Sequence, residues 1–341
     1  MEMIENKRNH PDALLEVNDL EVQFFTPQGI VKAVNGISYY INPNEVIAFV
    51  GESGCGKSVS QMATIQLIQS PPGKITGGEV LYKGINLLAY GTNSPEIHDV
   101  RGAEISMVFQ EPMTSLNPIF TVGSQIVDVI RTHRKVSKKE ARSIAKKALK
   151  DVGIPDPDKR MNSYPFEMSG GMRQRVLIAI AIACQSELII ADEPTTALDV
   201  TTQAQVMELL LQIVREKKKS LVVVTHNLGL VSRYADRIYV MYAGRIVESG
   251  TTEEILAHPK HPYTKGLLHS VPRLDDDKKE ELKPIEGAPP SLLNIQDTCA
   301  FAPRCPYYSD RCKHVHFPPL VKVDGESESH FVACFLEGNI S

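Results

Sequence analysis

The sequence predicts an α/β fold built on a parallel sheet whose two faces are both covered. Three short apolar runs carry this prediction, at Val46–Val50, 188–191 and 221–224. A strand that is buried on both faces of a sheet is apolar throughout, and each run has that composition. A segment with helical periodicity, 201–215, separates the last two runs, which is the order that a βαβ unit requires.

Composition limits the classes of protein that fit. The chain has 341 residues, of which 42% are hydrophobic and 23% charged, which predicts about two domains with an ordinary core. A net charge of −4 does not indicate a nucleic-acid binder. No run approaches the ~18 apolar residues that cross a bilayer, and the polar N-terminus lacks the pattern of a secretory signal. The six cysteines of such a chain argue against a disulfide framework.

The N-terminal third alternates between strand and turn signals before the first buried run. Residues 14–25 have the period of a strand, 26–29 predict a turn, and 30–41 resume an extended pattern. After the buried run, 59–69 is compatible with a helix, and the short apolar run 105–109 predicts another strand.

The middle of the chain is predicted to be helical, and the amino-acid composition changes in the last third. Ser137 opens one helix with a capping-box pattern, and Gly153 can end it. A hairpin is expected at 237–248. Prolines cluster beyond Gly250, so we place a domain boundary between Gly250 and 258 and read the charged run 275–281 as a linker.

The segment between the first buried strand and the following helix predicts a phosphate-binding loop. It reads Gly-Glu-Ser-Gly-Cys-Gly-Lys-Ser, and glycines of this kind let backbone N–H groups turn toward a polyphosphate at the start of a helix. Lys57 is expected to reach the β- and γ-phosphates of ATP, and the Ser58 hydroxyl to ligate Mg²⁺. An incidental glycine-rich turn is the alternative. The residues predicted to contact the nucleotide here are Gly51, Ser53, Gly54, Cys55, Gly56, Lys57, Ser58 and Val59.

Polar side chains follow three of the predicted strands. Asp192 ends one strand and can hold Mg²⁺, and the adjacent Glu193 can polarise an attacking water. Gln110 ends a second strand and is suited to touch Mg²⁺ and water. His226 follows a third strand and can hold a γ-phosphate. Helix caps at the two carboxylates and a structural role for the histidine are the alternatives.

The segment 168–175, Met-Ser-Gly-Gly-Met-Arg-Gln-Arg, resembles the signature motif of ABC-type ATPases. Ser169, Gly170 and Gly171 at a helix start would form a second anion site. The resemblance covers about residues 14–250. It implies a P-loop NTPase fold: a RecA-like core, an antiparallel β subdomain and a helical subdomain at about 117–175, all within 1–252.

The same resemblance implies roles for further residues. Two ATPase subunits would meet head to tail, so that each signature closes on the nucleotide of its partner. Residues 197–199, Ala-Leu-Asp, look like the D-loop at that contact. Glu193 would act as the general base, with Gln110 and His226 beside it. Phe24 lies where the family stacks an aromatic ring on adenine, and Phe25 is the competing candidate.

The C-terminal region narrows the resemblance. The stretch 261–268, His-Pro-Tyr-Thr-Lys-Gly-Leu-Leu, and the stretch 299–306 resemble the ATPases of dipeptide, oligopeptide and nickel importers, closest to the D-type ATPases of dipeptide permeases. They define an extension at 253–341. Four of its cysteines suggest a metal site, because thiolates bind zinc or iron–sulfur clusters. The resemblance favours a [4Fe–4S] cluster over Zn²⁺, and free packed thiols are the alternative. The predicted sulfur ligands are Cys299, Cys305, Cys312 and Cys334.

These readings predict the ATP-hydrolysing subunit of a peptide importer. The implied partners are a second ATPase subunit, different or identical, and two membrane permeases, with an extracellular substrate-binding protein acting indirectly. The implied location is the cytoplasmic face of the membrane. A nickel importer, a non-transport ABC ATPase, and an iron–sulfur redox protein that binds ATP are the competing hypotheses.

Overall fold

The structure is a computed structural model and describes residues 9–195, 198–270, 285–323 and 329–336. The predicted linker at 275–281 lies outside the described residues, as does Ala197 of the predicted D-loop. In the described part of the chain, no helix has the length and apolar composition that crossing a bilayer requires.

Strands lead the described chain, a run of helices separates β6 from β7, and helices and strands are mixed thereafter. The strands are β1 Leu15–Thr26, β2 Gly29–Ile41, β3 Val46–Val50, β4 Gly73–Tyr82, β5 Ile85–Asn86, β6 Ile105–Val108, β7 Leu188–Asp192, β8 Ser220–Thr225, β9 Arg237–Tyr242, β10 Arg245–Thr251, β11 Val321–Lys322 and β12 Phe331–Val332. The helices are α1 Lys57–Thr64, α2 Pro95–Val100, α3 Pro112–Ser115, α4 Val122–His133, α5 Lys138–Asp151, α6 Pro157–Arg160, α7 Gly170–Ala183, α8 Val200–Glu216, α9 Leu228–Val231, α10 Thr252–Ala257, α11 Pro262–His269 and α12 Asp310–His314.

The chain divides into two compact units. The first comprises the described residues among 1–41, 46–88 and 225–341, and the second comprises 42–45 and 89–224. Within the first unit, β2-β1-β4-β5 form an antiparallel sheet. A second set of strands in that unit runs β11-β12-β10-β9-β3, in which β3 and β9 are parallel and the other pairs are antiparallel. The hairpin predicted at 237–248 is therefore confirmed.

The second unit contains a parallel set, β8-β7-β6, and a group of helices. Strands β7 and β8 are buried along their whole length, as the apolar runs predicted. Helices α4 and α5 pack against α7, and α5 begins at the predicted cap, where the Ser137 hydroxyl accepts the Glu140 N–H. Gly153 follows the end of α5 with φ +69°, a left-handed conformation that glycine adopts without steric cost.

Candidate functional site

The predicted phosphate-binding loop joins buried strand β3 to the start of α1. Gly56 caps this helix with φ +101°, and a Cβ atom at this position would lie 2.2 Å from the carbonyl oxygen of Ala33. Glycine is therefore required at this point for two reasons, conformation and space. The Gly244 N–H of the β9–β10 turn donates to the Cys55 carbonyl at 2.8 Å and holds the far side of the loop. The result is a rigid turn that ends in a helix N-terminus, as an anion site requires.

Lys57 is buried and directed along the loop. Its ammonium group donates to the carbonyl oxygens of Gly51 and Glu52, at 2.8 and 2.9 Å. Ser53 and Gly54 are exposed at the rim, and Ser58 is half-buried in the first turn of α1. The ammonium group thus has two polar partners within its own loop that a phosphate can replace.

The second unit brings two of the predicted catalytic residues together. The Gln110 side-chain amide donates to Oε2 of Glu193 at 3.0 Å. Glu193 follows β7 in a left-handed conformation, φ +43°, and its N–H donates to the Val224 carbonyl at 2.9 Å. Asp192, the last residue of β7, is buried. The orientation of the Glu193 side chain is therefore set by the backbone and by Gln110.

The signature segment begins α7 in the same unit. The Ser169 hydroxyl caps the helix by accepting the Met172 N–H at 3.3 Å, and the side chain is exposed. A Cβ atom at Gly171 would lie 2.8 Å from Cγ2 of Thr202 in the first turn of α8. Asp199 of the predicted D-loop caps that helix through the Thr202 N–H. The signature and the described part of the D-loop are thus neighbours.

The remaining nucleotide predictions fall in the first unit. His226 is exposed just beyond β8. Phe24 is half-buried in β1, opposite Gly73 of β4, whereas Phe25 is exposed. Which of the two rings stacks on adenine stays a prediction.

The predicted iron–sulfur or zinc site at Cys299, Cys305, Cys312 and Cys334 is not supported by the arrangement of its residues. Among the described residues, no group of three or more His, Cys, Asp or Glu side chains is placed to hold a metal ion. Burial, with contributions from the nearby Cys312 and Cys334 thiols, raises the pKa of Cys299 to about 11. Burial likewise raises the pKa of Cys305. Burial therefore favours the neutral thiol at Cys299 and Cys305, whereas the thiolate is the form that binds a metal.

Three residues near the loop were missed by the sequence analysis. Glu52 had no role beyond its place in the motif, yet its carboxylate pairs with Arg304 and its N–H donates to the Tyr263 hydroxyl. Tyr263 and Arg304 both lie in the C-terminal stretches that carry the importer resemblance. Their position in those motifs was the available signal, but sequence spacing alone gives no contact across more than 200 residues.

Comparison with known proteins agrees with this geometry. Residues 34–196 match the ABC transporter family, and residues 247–312 match the C-terminal region of oligopeptide/dipeptide transporters. The oligopeptide transport ATP-binding protein OppD of Bacillus subtilis (strain 168) is 48% identical over 323 residues, which cover 95% of this chain and 88% of OppD. The dipeptide transport ATP-binding protein DppD of the same organism is 47% identical over 326 residues, which cover 96% of this chain and 95% of DppD.

Solved structures show the same fold. The dimeric post-hydrolysis state of the ATP-binding cassette MJ0796, bound to ADP and Pi, superimposes with a TM-score of 0.62 at 28% identity, covering 70% of this chain and 98% of that one. CbiO1 from Clostridium perfringens, part of the ABC transporter complex cbiONQ, gives 0.61 at 27% identity, covering 72% and 92%. The chain therefore belongs to the ABC transporter family, as an ATP-hydrolysing subunit with an oligopeptide/dipeptide-type C-terminal region.

Proposed function

We propose that this chain powers the import of di- or oligopeptides through partner membrane subunits. The observation that carries the proposal is the C-terminal match at 247–312, because the ATPase core alone is shared by transporters of many substrates. Relatives named for oligopeptide and dipeptide transport cover nearly the whole chain, which supports the same substrate class.

In the proposed nucleotide site, Lys57 turns from the carbonyl oxygens of its own loop to the β- and γ-phosphates. Backbone N–H groups of the glycine-rich turn and the start of α1 bind the same phosphates. Ser58, Gln110 and Asp192 are the residues that would hold Mg²⁺. When bound, this ion neutralises charge that develops on the phosphate oxygens. The hydroxyl, amide and carboxylate oxygens of this set suit a hard cation.

We propose Glu193 as the general base. The Gln110 amide holds Oε2 of its carboxylate, and this contact fixes the direction in which the carboxylate can accept a proton from water. His226 would hold the γ-phosphate during the same step. Glu193→Gln is expected to retain ATP binding and to lower the hydrolysis rate by a factor of about 10² or more. Equal rates in Glu193→Gln and the wild type would remove the assignment of the base.

Two such subunits are proposed to clamp ATP between them. Ser169, with the N–H groups of Gly170 and Gly171, would contact the nucleotide bound by Lys57 of the partner subunit. Exposure of Ser169 and its place at the start of the 14-residue helix α7 support this role. A crosslink between cysteines placed at Ser53 of one chain and Ser169 of another, formed only with ATP, would test it. The partner is proposed to be a second, different ATPase subunit, and a homodimer is the other outcome.

The proposed contact with the membrane subunits uses an apolar surface of the second unit. Four large side chains there are more than half exposed: Met113, Ile119, Phe120 and Phe166. Several exposed apolar side chains of this size within one compact unit support a protein partner. Because α3 follows Gln110 directly, the same surface is suited to pass movement of the nucleotide site to the membrane subunits. This contact supports the proposed location of the chain as a peripheral subunit on the cytoplasmic face of the membrane.

We also propose that the C-terminal extension holds a [4Fe–4S] cluster. It is supported by the effect of Cys312 and Cys334 on the pKa of Cys299, and of Cys312 on the pKa of Cys305, because only nearby thiols have such an effect. Iron and acid-labile sulfide measured in anaerobically purified protein test it. Zinc in their place, or no metal, would remove it.

Transport itself tests the substrate class. A strain that lacks this chain is expected to lose uptake of labelled di- or oligopeptides and to recover it when the chain is restored. Loss of nickel uptake with unchanged peptide uptake would overturn the peptide assignment and leave the ATPase assignment intact.

A further inference from the structure

All three polar parts of Glu52 are engaged in the phosphate loop. Its carbonyl oxygen accepts the Lys57 ammonium at 2.9 Å, and its N–H donates to the Tyr263 hydroxyl at 2.8 Å. Its carboxylate accepts hydrogen bonds from both terminal nitrogens of Arg304, at 2.7 and 2.9 Å. Two of these partners come from the C-terminal region of the chain, so the conformation of Glu52 depends on residues far outside the nucleotide motif.

Tyr263 is held as a rigid support. It lies in the first turn of α11, is fully buried, and packs against the rings of Tyr242 and Phe301, at centroid distances of 4.6 and 5.5 Å. Its N–H donates to Nδ1 of His261, which caps the same helix. A buried hydroxyl in a fixed ring gives the Glu52 N–H one acceptor in one position.

Arg304 is held equally firmly from the other side. Its side chain is only 5% exposed, and the Glu52 side chain is 24% exposed. Its Nε donates to the carbonyl of Glu286 at 2.9 Å, and Nη1 also reaches the Tyr242 hydroxyl at 3.2 Å. A planar guanidinium that binds both carboxylate oxygens fixes direction as well as distance.

We propose that Tyr263 and Arg304 are positioning residues for ATP binding, which act through Glu52 to hold the phosphate loop open for the nucleotide. Arg304 has a second effect, because it neutralises a carboxylate that belongs to the anion site itself. The proposal rests on the ATPase activity of the family and is independent of the transported substrate.

The two effects predict a defined kinetic signature. A loop that adopts its binding conformation only part of the time weakens ground state and transition state alike, so KM for ATP rises while kcat changes little. An unpaired Glu52 carboxylate would add repulsion of the triphosphate, and that part disappears when the carboxylate is also removed. Rescue by a second substitution therefore separates positioning and charge from simple loss of structure.

The test is equilibrium binding of a fluorescent ATP analogue to the full chain, together with steady-state ATPase rates. Arg304→Gln is expected to weaken binding about tenfold, with kcat within about twofold of wild type. Arg304→Lys should fall between the two, because the charge remains but the two-pronged contact is lost. Glu52→Gln alone should cost about twofold, and Glu52→Gln combined with Arg304→Gln should recover to within about threefold of wild type.

Tyr263→Phe gives an independent arm, since the ring and its packing are retained. Removal of the hydroxyl leaves the part-buried Glu52 N–H without this acceptor and is expected to weaken binding about threefold. Asp297→Asn is the matched control: it breaks a carboxylate–arginine pair with Arg245 that does not contact Glu52, and nucleotide affinity should not change.

Wild-type affinity of Arg304→Gln for the nucleotide, even with a lower Tm, would overturn the proposal, because the pair with Glu52 would then serve stability alone. A double variant that binds no better than Arg304→Gln would do the same, as would tighter binding in any of these variants. Absence of nucleotide binding by the wild-type chain would instead contradict the ATPase assignment, so the two failures are distinguishable.

Discussion

Acidification is expected to destabilise the chain through His261, the cap of α11. This side chain is fully buried, and its Nδ1 accepts the Tyr263 N–H at 3.0 Å, so the ring must be neutral at that nitrogen. Burial lowers the pKa of His261 to about 4; the nearby Glu248 opposes this shift and Lys265 adds to it. His261 therefore binds a proton near its ordinary pKa of 6.5 in the unfolded state, but only near pH 4 in the folded state.

The sign and the size follow from these two pKa values. Between pH 6.5 and 4 the unfolded chain binds more protons at this site, so the free energy of unfolding falls as the pH falls. Relative to pH 7.5, the loss attributable to His261 is about 2 kcal/mol at pH 5 and about 3 kcal/mol at pH 4. Above about pH 8 the site contributes almost no slope.

Denaturant unfolding of wild type and His261→Asn from pH 4.5 to 7.5 tests this expectation. Asparagine retains a capping oxygen but does not titrate, so the variant is expected to be less stable at pH 7 and to lose about 2 kcal/mol less than wild type on going to pH 5. His316→Gln is the control, because the His316 side chain is 90% exposed in the same extension. Identical acid slopes in wild type and His261→Asn would refute the reasoning.

Three further substitutions test separate features by binding and unfolding measurements. Gly56→Ala would place a methyl group 2.2 Å from a backbone oxygen and should abolish detectable ATP binding. Gly36→Ala, at φ +67° with open space, should leave ATP binding intact and cost only about 1 kcal/mol of stability. Similar ATP binding in both variants would contradict the steric argument. Ser137→Ala should lower the free energy of unfolding by about 1 kcal/mol through loss of the α5 cap, and an unchanged value would show that the cap is replaced. Glu248→Gln should cost about 2 kcal/mol, because the buried carboxylate accepts two backbone N–H groups and pairs with His330; the same stability as wild type would mean that the amide satisfies those donors.

Local patterns predicted most of the elements, and tertiary contacts account for the differences. Strand β3 lies where the apolar run predicted it, since burial on both faces leaves no polar position. The helix predicted at 59–69 ends at Thr64 instead. Gln66 adopts φ +53°, and its buried amide donates to the Leu87 carbonyl at 2.7 Å. Helical periodicity continues through this residue, so the early end is seen only in the left-handed backbone of Gln66 and in its contact with Leu87.

The same distinction applies to the candidate site. The phosphate loop and the signature are contiguous motifs, and each could be read from neighbouring residues. The pair of Glu52 and Arg304 joins positions 252 residues apart, and no local pattern connects them. The predicted thiol site depends on packing in the same way: four cysteines in one segment give a composition, whereas their separation is set by how the segment folds, and the described residues contain no group of three or more side chains placed to hold a metal ion.

The C-terminal extension is physically part of the nucleotide-binding unit, although the predicted boundary near residue 252 separates them in sequence. Strand β12 pairs with β10, and the Ala333 N–H donates to the Val247 carbonyl. The Glu248 carboxylate is buried at the same place, among donors that all come from beyond residue 252. Removal of the extension would take all of these partners from the carboxylate and unpair the edge of β10, so we expect it to destabilise the unit. The phosphate loop would lose Tyr263 and Arg304 in the same step. If Tyr263 and Arg304 position the phosphate loop as proposed, binding of ATP depends on the segment that also distinguishes this chain from other ATPases of its family, and that segment has a direct means to influence the nucleotide site.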